Sequence, residues 1–435
     1  MATIDSNPAS GTQDFLPEAM ARRHHAFALV RDVYERYGFQ PMDTPAFERL
    51  DVLLGKYGDE SEKLIFKILK RGEQEETGQA DLALRYDLTV PLARFAAANS
   101  GTLPMPFKRY VIAPVWRAER PQKGRFREFF QCDIDTIGSD SPLADAEPVI
   151  AASEVYAGLG LEDFTVHVNS RQALRALVES YGIPEEFEET ALVAIDKLDR
   201  VGADGVAREL RDREVPAELD ALTQDLAADD LEERARDRLA GTERGAAGLA
   251  QADAVLALID GHLVGGQARF DPVLARGLGY YTGPIFEVRH AGIGSSIGGG
   301  GRYDGLIGMF MGNDVPATGF SIGIERLLLL LEEQGRDHSS VPTVLVTVFD
   351  EDARVDAIGL AVRLRRAGID TDLYAGDGKL GKQFKYADRR GIRYALIRGS
   401  DEREAGTVAV KDLDSGDQVD VAEADLVEHV QRRLL

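Results

Sequence analysis

Five basic side chains fall within eleven positions: Arg117, Arg120, Lys123, Arg125 and Arg127. Only Glu119 and Glu128 accompany them before an apolar run resumes. The guanidinium fork binds two oxygens at once, so arginine-rich stretches suit polyphosphates. On charge alone, a solvated charged hairpin fits this stretch equally well. A second basic run comprises Lys379, Lys382, Lys385, Arg389, Arg390, Arg393 and Arg398, with Asp388 the one acid among them from Lys379 to Arg398. Phe384, Tyr386 and Tyr394 interleave with it. Backbone charge and base stacking together make such a stripe suited to single-stranded RNA; the alternative is a solvated helix face.

Other chemistries are excluded by missing groups. Gly376 to Lys382 has the spacing of a Walker A loop, but Gln383 stands where Ser or Thr must hold magnesium. The glycines from Gly298 to Gly301 do not form a dinucleotide fingerprint. No His-Glu-x-x-His occurs, and the seven histidines show no zinc spacing. Cys132 is the single cysteine, which rules out an intramolecular disulfide and a Cys-only metal site.

The elements that would position these groups can be read from periodicity. Residues 20–37 read as an amphipathic helix leading to the proline-broken extended stretch Gly38 to Pro45. Residues 82–99 read as a strand and then a helix. Residues 107–137 alternate apolar and polar around the charged middle: strand, loop, strand. Asp163 to Val168 reads as a strand, with a helix from Arg171. From about 172 to 262 the chain is rich in Ala, Glu, Asp, Arg and Leu with helical spacing, the mark of a helical insertion. Strand pattern returns at Arg269–Asp271 and at Tyr280–Val288, and Ile324–Glu333 reads as a core helix. Gln334–Ser340 reads as a linker. Beyond it, strands at 343–349, 370–374 and 394–398 alternate with helices at 353–367 and 381–390, predicting an α/β domain with a mostly parallel sheet.

Composition sets the outer bounds. The chain has 435 residues, of which 44% are hydrophobic, consistent with about three structural units. Asp and Glu number 74 against 51 Lys and Arg, giving a net charge of −23. Such a balance either argues against a nucleic-acid partner or marks a chain adapted to a salt-rich cytoplasm, where the Debye length falls to about 3 Å near 1 M. The scarcity of lysine favours the second reading. No run approaches the length of a membrane helix, and the polar stretch Met1 to Gly11 is unlike a signal peptide. A reducing cytoplasm is expected.

Residue identity goes further than charge. Arg117-Ala118-Glu119-Arg120-Pro121-Gln122-Lys123-Gly124-Arg125 resembles motif 2 of class II aminoacyl-tRNA synthetases, in the form found in the histidyl enzymes. Gly11 to Pro17 resembles that family's N-terminal loop, and Pro45 sits at the motif 1 proline. Leu84 to Thr89 looks like the archaeal and eukaryotic form of the substrate loop, with Asp87 where bacterial members have Glu. Ala275 to Gly283 and Gly300 to Leu306 resemble the two histidine-specific signatures, and Gly319 to Leu327 resembles motif 3. Gly279 departs from the pattern, which commonly has an acid there.

The resemblance implies an α+β catalytic domain built on an antiparallel sheet flanked by helices (1–171 and 263–333). It also implies a helical insertion domain (172–262), a linker (334–340) and a C-terminal α/β anticodon-binding domain (341–435). It implies that histidine attacks the α-phosphate of ATP to give histidyl-adenylate, and that the histidyl group then moves to tRNA(His). Arg117 and Arg276 would be catalytic. Arg117, Glu119, Arg125, Phe129 and Arg326 would bind ATP, accompanied by Mg2+ held mainly by phosphates. Asp87, Thr89, Gln131, Asp135, Arg276, Tyr280, Tyr281 and Tyr303 would bind histidine, with Asp135 and Tyr281 reading the imidazole. Gln122, Lys123, Lys382, Lys385 and Arg389 would contact tRNA. No protein metal site and no membrane association are expected, and the family is homodimeric. A regulatory paralogue without activity and a synthetase for another amino acid are the rival readings.

Overall fold

The computed structural model describes residues 4–55, 62–122, 124–275, 279–292, 296–333, 342–376 and 378–434. Two compact units are present, Met1–Asp337 and His338–Leu435.

In the first unit the strands are β1 (Gln40–Pro41), β2 (Phe47–Arg49), β3 (Lys67–Leu69), β4 (Ala80–Leu84), β5 (Phe107–Trp116) and β6 (Glu128–Ile137). They continue with β7 (Phe164–Ser170), β8 (Gln267–Phe270), β9 (Pro284–His290), β10 (Ser296–Arg302) and β11 (Ala317–Ile322). Eight of them form one sheet in the order β1-β5-β6-β11-β10-β9-β7-β8. From β5 to β7 every pairing is antiparallel, and β1 and β8 add parallel edges. This is the antiparallel catalytic sheet that the resemblance implies. β2, β4 and β3 form a small separate sheet.

Side chains alternate across a strand, so the sheet has two distinct faces. One face packs Tyr110, Cys132, Ile134, Val166, Phe286, Val288, Ile297 and Phe320 into a core with the helices Pro17–Arg36 and Pro142–Gly158. The helices between Arg171 and Ile259 join this same core through Leu174, Leu192, Val206, Leu222, Leu239 and Val255. Helix Glu243–Ile259 lies so close to helix Arg171–Glu179 that a Cβ at Gly248 would collide with Ala173. The helical segment is therefore packed onto the sheet edge rather than held apart from it.

The second unit carries β12 (Val344–Val346), β13 (Thr371–Leu373), β14 (Tyr394–Ile397), β15 (Thr407–Asp412) and β16 (Gln418–Ala422), in the order β13-β12-β14-β15-β16. The first three are parallel, while β15 and β16 are antiparallel, so the sheet is mixed rather than mostly parallel. The linker expected at 334–340 lies outside the described residues.

Candidate active site

The other face of the large sheet carries the chemistry. Alternation along β6 puts Gln131, Asp133 and Asp135 on it. Register then aligns Arg109, Asp135, Gly319 and Gly301 across four strands, and Val111, Asp133, Ser321 and Gly299 in the next row. Three glycines in these rows leave bare backbone beside a line of polar side chains. At Gly319 nothing larger fits, because an added Cβ would collide with Oδ1 of Asp135.

Asp135 is 2% exposed, with an ion pair on one carboxylate oxygen and a hydrogen bond on the other. Arg109 Nη2 pairs with its Oδ2 at 2.7 Å, and the Tyr303 hydroxyl donates to its Oδ1 at 2.5 Å. Burial raises the Asp135 carboxyl above its ordinary range against the pull of Arg109 and Tyr303. Burial, with Asp135 alongside, likewise pushes the Tyr303 phenol well up, so it stays a proton donor. The Tyr281 ring lies 5.0 Å from that of Tyr280, tilted by 56°, and Tyr280 in turn meets Tyr303 edge-on at 6.0 Å.

The loop before helix Thr89–Ala98 closes one side. Asp87 accepts from the backbone N–H groups of Thr89 and Val90 at 3.2 and 3.0 Å, and from the Tyr280 hydroxyl at 3.3 Å. Two arginines tie this loop to the sheet. Arg109 donates to the Leu88 carbonyl at 3.1 Å, and Arg117 to the Tyr86 carbonyl at 3.1 Å. Arg117 also reaches Gln131 Oε1 at 3.3 Å, and its guanidinium lies 4.4 Å from the Tyr86 ring centre and 5.1 Å from that of Phe129. Buried Arg85 braces the same loop through Asp43 and the Thr44 and Pro114 carbonyls.

Beyond Arg117 the site becomes cationic. Arg125 forms an ion pair with Glu119. Arg326, at the start of helix Ile324–Glu333, donates to the Ser296 carbonyl at 2.5 Å. Its charge is disfavoured first by burial and then by the nearby Arg125, with Arg117 adding to the effect. The 117–125 loop and a helix some 200 residues later in the chain thus meet: a Cβ at Gly124 would lie 3.9 Å from Cγ of Arg326, which brings that guanidinium beside those of the loop. The N-terminal loop locks this arrangement: the Gly11 carbonyl accepts from the Arg127 backbone N–H at 2.7 Å. The buried pair Arg23–Glu325 fastens the first helix beside Arg326, with both nitrogens bonded at 2.5 and 2.7 Å.

Most of the residues singled out in the sequence therefore meet on one face: Asp87, Thr89, Gln131, Asp135, Tyr280, Tyr281 and Tyr303 near the glycines, and Arg117, Glu119, Arg125, Phe129 and Arg326 beside them. Arg276 and Lys123 lie outside the described residues. Gln122 is exposed at a turn with Arg125. Arg109, Asp133 and Ser321 were missed. Arg109 and Asp133 are in phase with Val111 and Asp135, so alternation alone could have flagged them. A cavity of about 430 Å³ lies farther along this face, toward β9 and β8, where Glu287 continues the row of Asp133, Ser321 and Gly299; Asp196, Asp199, Arg269, Asp271 and Arg289 also line it.

In the second unit, helix Leu380–Arg390 exposes Lys382, Lys385 and Arg389 at spacings of three and four. Gln383 faces inward instead, bonding the Val348 backbone at 2.9 and 2.7 Å, a structural task. Other members of the basic run are engaged by acids: Arg393 with Asp412 at 3.1 Å and Arg398 with Glu423 at 2.6 Å. Tyr394 is buried, so it is core rather than a stacking platform.

Comparison with known proteins places the chain among relatives that it matches over nearly its whole length. A family profile described as Histidyl-tRNA synthetase matches residues 11–327, and one described as Anticodon binding domain matches residues 343–433. The histidine–tRNA ligase of Cytophaga hutchinsonii is 41% identical over 94% of this chain and 96% of its own length. That of Rhodopirellula baltica is 40% identical over 96% of both. A crystal structure of histidyl-tRNA synthetase from a Nostoc species superposes with a TM-score of 0.82 at 32% identity, covering 99% of this chain and 100% of that one. These relatives are bacterial, so the likeness of the Asp87 loop to the archaeal and eukaryotic form finds no support among them. With the profile spanning most of the chain and full-length relatives at about 40% identity, the chain belongs to the histidyl-tRNA synthetase family.

Proposed function

We propose that the sheet face just described performs both steps of histidine ligation to tRNA(His), and that its residues divide the work as follows. The observation that carries the reading is the convergence of Arg117, Arg125 and Arg326 beside a buried Asp135–Tyr303 pair. In such chemistry the protein mainly orients reactants and neutralises charge, so arginines outrank bases.

Histidine takes the glycine-lined end. Asp87, Thr89 and Gln131 receive its ammonium group. Asp135 and Tyr281 read the imidazole, with Tyr280 and Tyr303 lining the pocket. ATP takes the cationic end. Arg117 binds the α-phosphate, Arg125 and Arg326 the outer phosphates, Glu119 the adenine edge, and Phe129 stacks on the base. ATP binding exchanges the Arg125–Glu119 ion pair for these contacts. Arg276 approaches the α-phosphate from the side opposite Arg117 and stabilises charge developing there. The side chains around Glu119 are guanidiniums, which suit phosphate and not a cation, so Mg2+ is assigned to phosphate oxygens; bound there it would screen their charge.

The division of labour along the chain is a catalytic domain at 1–171 and 263–333, a helical insertion at 172–262, a linker at 334–340 and an anticodon-binding domain at 341–435. Gln122, Lys123, Lys382, Lys385 and Arg389 contact tRNA. Homodimerisation across the motif 1 region is supported by the exposed apolar Phe47 and Leu69 on the small sheet, 53% and 54% exposed. Among the described residues no helix is long and apolar enough to cross a membrane, which fits a cytoplasmic enzyme. The acidic composition fits activity that persists in molar KCl, and inactivation there would refute that adaptation.

A crystal structure with histidine and ATP bound tests the assignments. Imidazole at Asp135 and triphosphate at Arg117, Arg125 and Arg326 are expected. Ligands elsewhere, or arginines directed to separate places, would overturn them.

A further inference from the structure

Asp133 sits in the middle of the ligand-facing rows of the sheet, and none of the roles above uses it. It is 3% exposed, between Val111 of β5 and Ser321 of β11 in register, with Gln131 and Asp135 two residues away on the same face. Gln131 shows what it does locally. The amide oxygen of Gln131 accepts from Arg117 at 3.3 Å, while its nitrogen donates to Ser321 Oγ at 2.7 Å and to Asp133 Oδ1 at 3.4 Å. Asp133 and Ser321 thus fix which way the amide points, keeping its oxygen toward the substrate side.

The charges around Asp133 do not balance. Arg109 on β5 is the cation acting on it, and that guanidinium is already committed to Asp135 and to the Leu88 carbonyl. Asp135 on β6 and Asp87 on the loop before helix Thr89–Ala98 are both acidic. Tyr303 approaches from the ligand side. Cys132 and Tyr34 lie behind the sheet, where Arg23 is held by Glu325. Three buried carboxylates therefore share a face with one committed guanidinium and with Arg117, which is bound to Gln131 and a carbonyl. A cationic group is what such a face lacks, and the ammonium of an amino acid supplies it.

We propose that Asp133 is a positioning residue that holds Gln131 and the ammonium group of bound histidine in register, and that it gives up a proton to solvent when that ammonium arrives. No other bond changes. The inference rests on the assignment of histidine to this face. Burial pushes the Asp133 carboxyl up to about 7, with Asp135 and Asp87 raising it and Arg109 and Ser321 opposing. A cation within about 4–6 Å lowers a carboxylate by roughly 1–3 pH units. Near pH 7 and below, the free protein then holds a proton that the complex does not. Histidine affinity should fall as the pH drops below 7, by at most about tenfold per pH unit, until the complex itself takes up the proton.

The test compares histidine binding to the wild type, Asp133→Asn and Asp133→Glu by calorimetry. Two buffers of different ionisation enthalpy are used at pH 7, and the affinities are repeated at pH 6 and 8. Histidine's own imidazole contributes equally to all three proteins and cancels in the comparison. The wild type should release about half a proton more than Asp133→Asn at pH 7. Asp133→Asn should bind histidine about tenfold or more weakly at pH 8 and approach the wild type at pH 6. Asp133→Glu should retain the extra proton release. Removing a buried charge leaves Asp133→Asn folded, with a melting temperature at pH 8 no lower than the wild type's. Equal proton release from wild type and Asp133→Asn would overturn the proposal, as would an affinity loss identical at pH 6 and 8. If the wild type fails to bind histidine at all, the assignment of histidine to this site falls with it.

Discussion

Tyr303 donates its hydroxyl to Asp135 across 2.5 Å, although the two residues are 168 positions apart in sequence. Asp135 comes from β6 and Tyr303 follows β10, with β11 between them in the sheet. With Arg109 on its other oxygen, the carboxylate is held in one orientation before any substrate arrives. An imidazole placed there meets a fixed acceptor.

Tyr303→Phe removes that donor and leaves a buried carboxylate oxygen unsatisfied. Such a loss costs about 1–3 kcal/mol, so the KM for histidine in pyrophosphate exchange should rise roughly 5- to 150-fold, with kcat changed less. An unaltered KM would show that the phenol does not orient Asp135.

Gly319→Ala places a methyl group against Oδ1 of Asp135. Histidine binding should be lost while ATP binding, measured by calorimetry, survives at the cationic end. The overpacked sheet should unfold about 1–3 kcal/mol more easily in urea. Undiminished histidine affinity would contradict the pocket's position.

Arg276→Ala should abolish adenylate formation while sparing histidine binding, since its assigned work is on charge that develops at the α-phosphate. Wild-type single-turnover rates in that variant would remove the role.

Replacing Lys382, Lys385 and Arg389 together by Ala should weaken tRNA charging and leave pyrophosphate exchange intact. The three side chains share one exposed face of a helix in the second unit, and phosphate contacts are the part of RNA binding most sensitive to charge. Equal loss of both activities would count against an anticodon role.

Much of this arrangement was legible in the sequence because period and turn chemistry agree with the fold in those segments. The strands at 107–116 and 128–137 and the helices at 17–36 and 324–333 match their patterns closely. β10 was not legible. Its Ser296–Arg302 run is mostly glycine, which weakens a strand; here the strand exists because β11 and Tyr156 press against it, too close for any Cβ at Gly298 or Gly300. Tyr280–Gly283 has strand composition yet lies outside β9, because its tyrosines turn into the pocket. The mixed character of the second sheet was missed because β15 and β16 follow the αβ alternation and were not read at all. In the site, residues with a motif around them were found, whereas Arg109, Asp133 and Ser321 act through strand register, which a single sequence does not print. The basic run at 379–398 overcounted free charge, since Arg393 and Arg398 meet acids far along the chain.

The measurement closest to the central claim is ATP–pyrophosphate exchange with each of the twenty amino acids in turn. Histidine alone should support exchange, because the fixed Asp135 carboxylate beside the converging arginines fits an imidazole next to a triphosphate. Exchange driven by another amino acid, or none with histidine, would contradict the account.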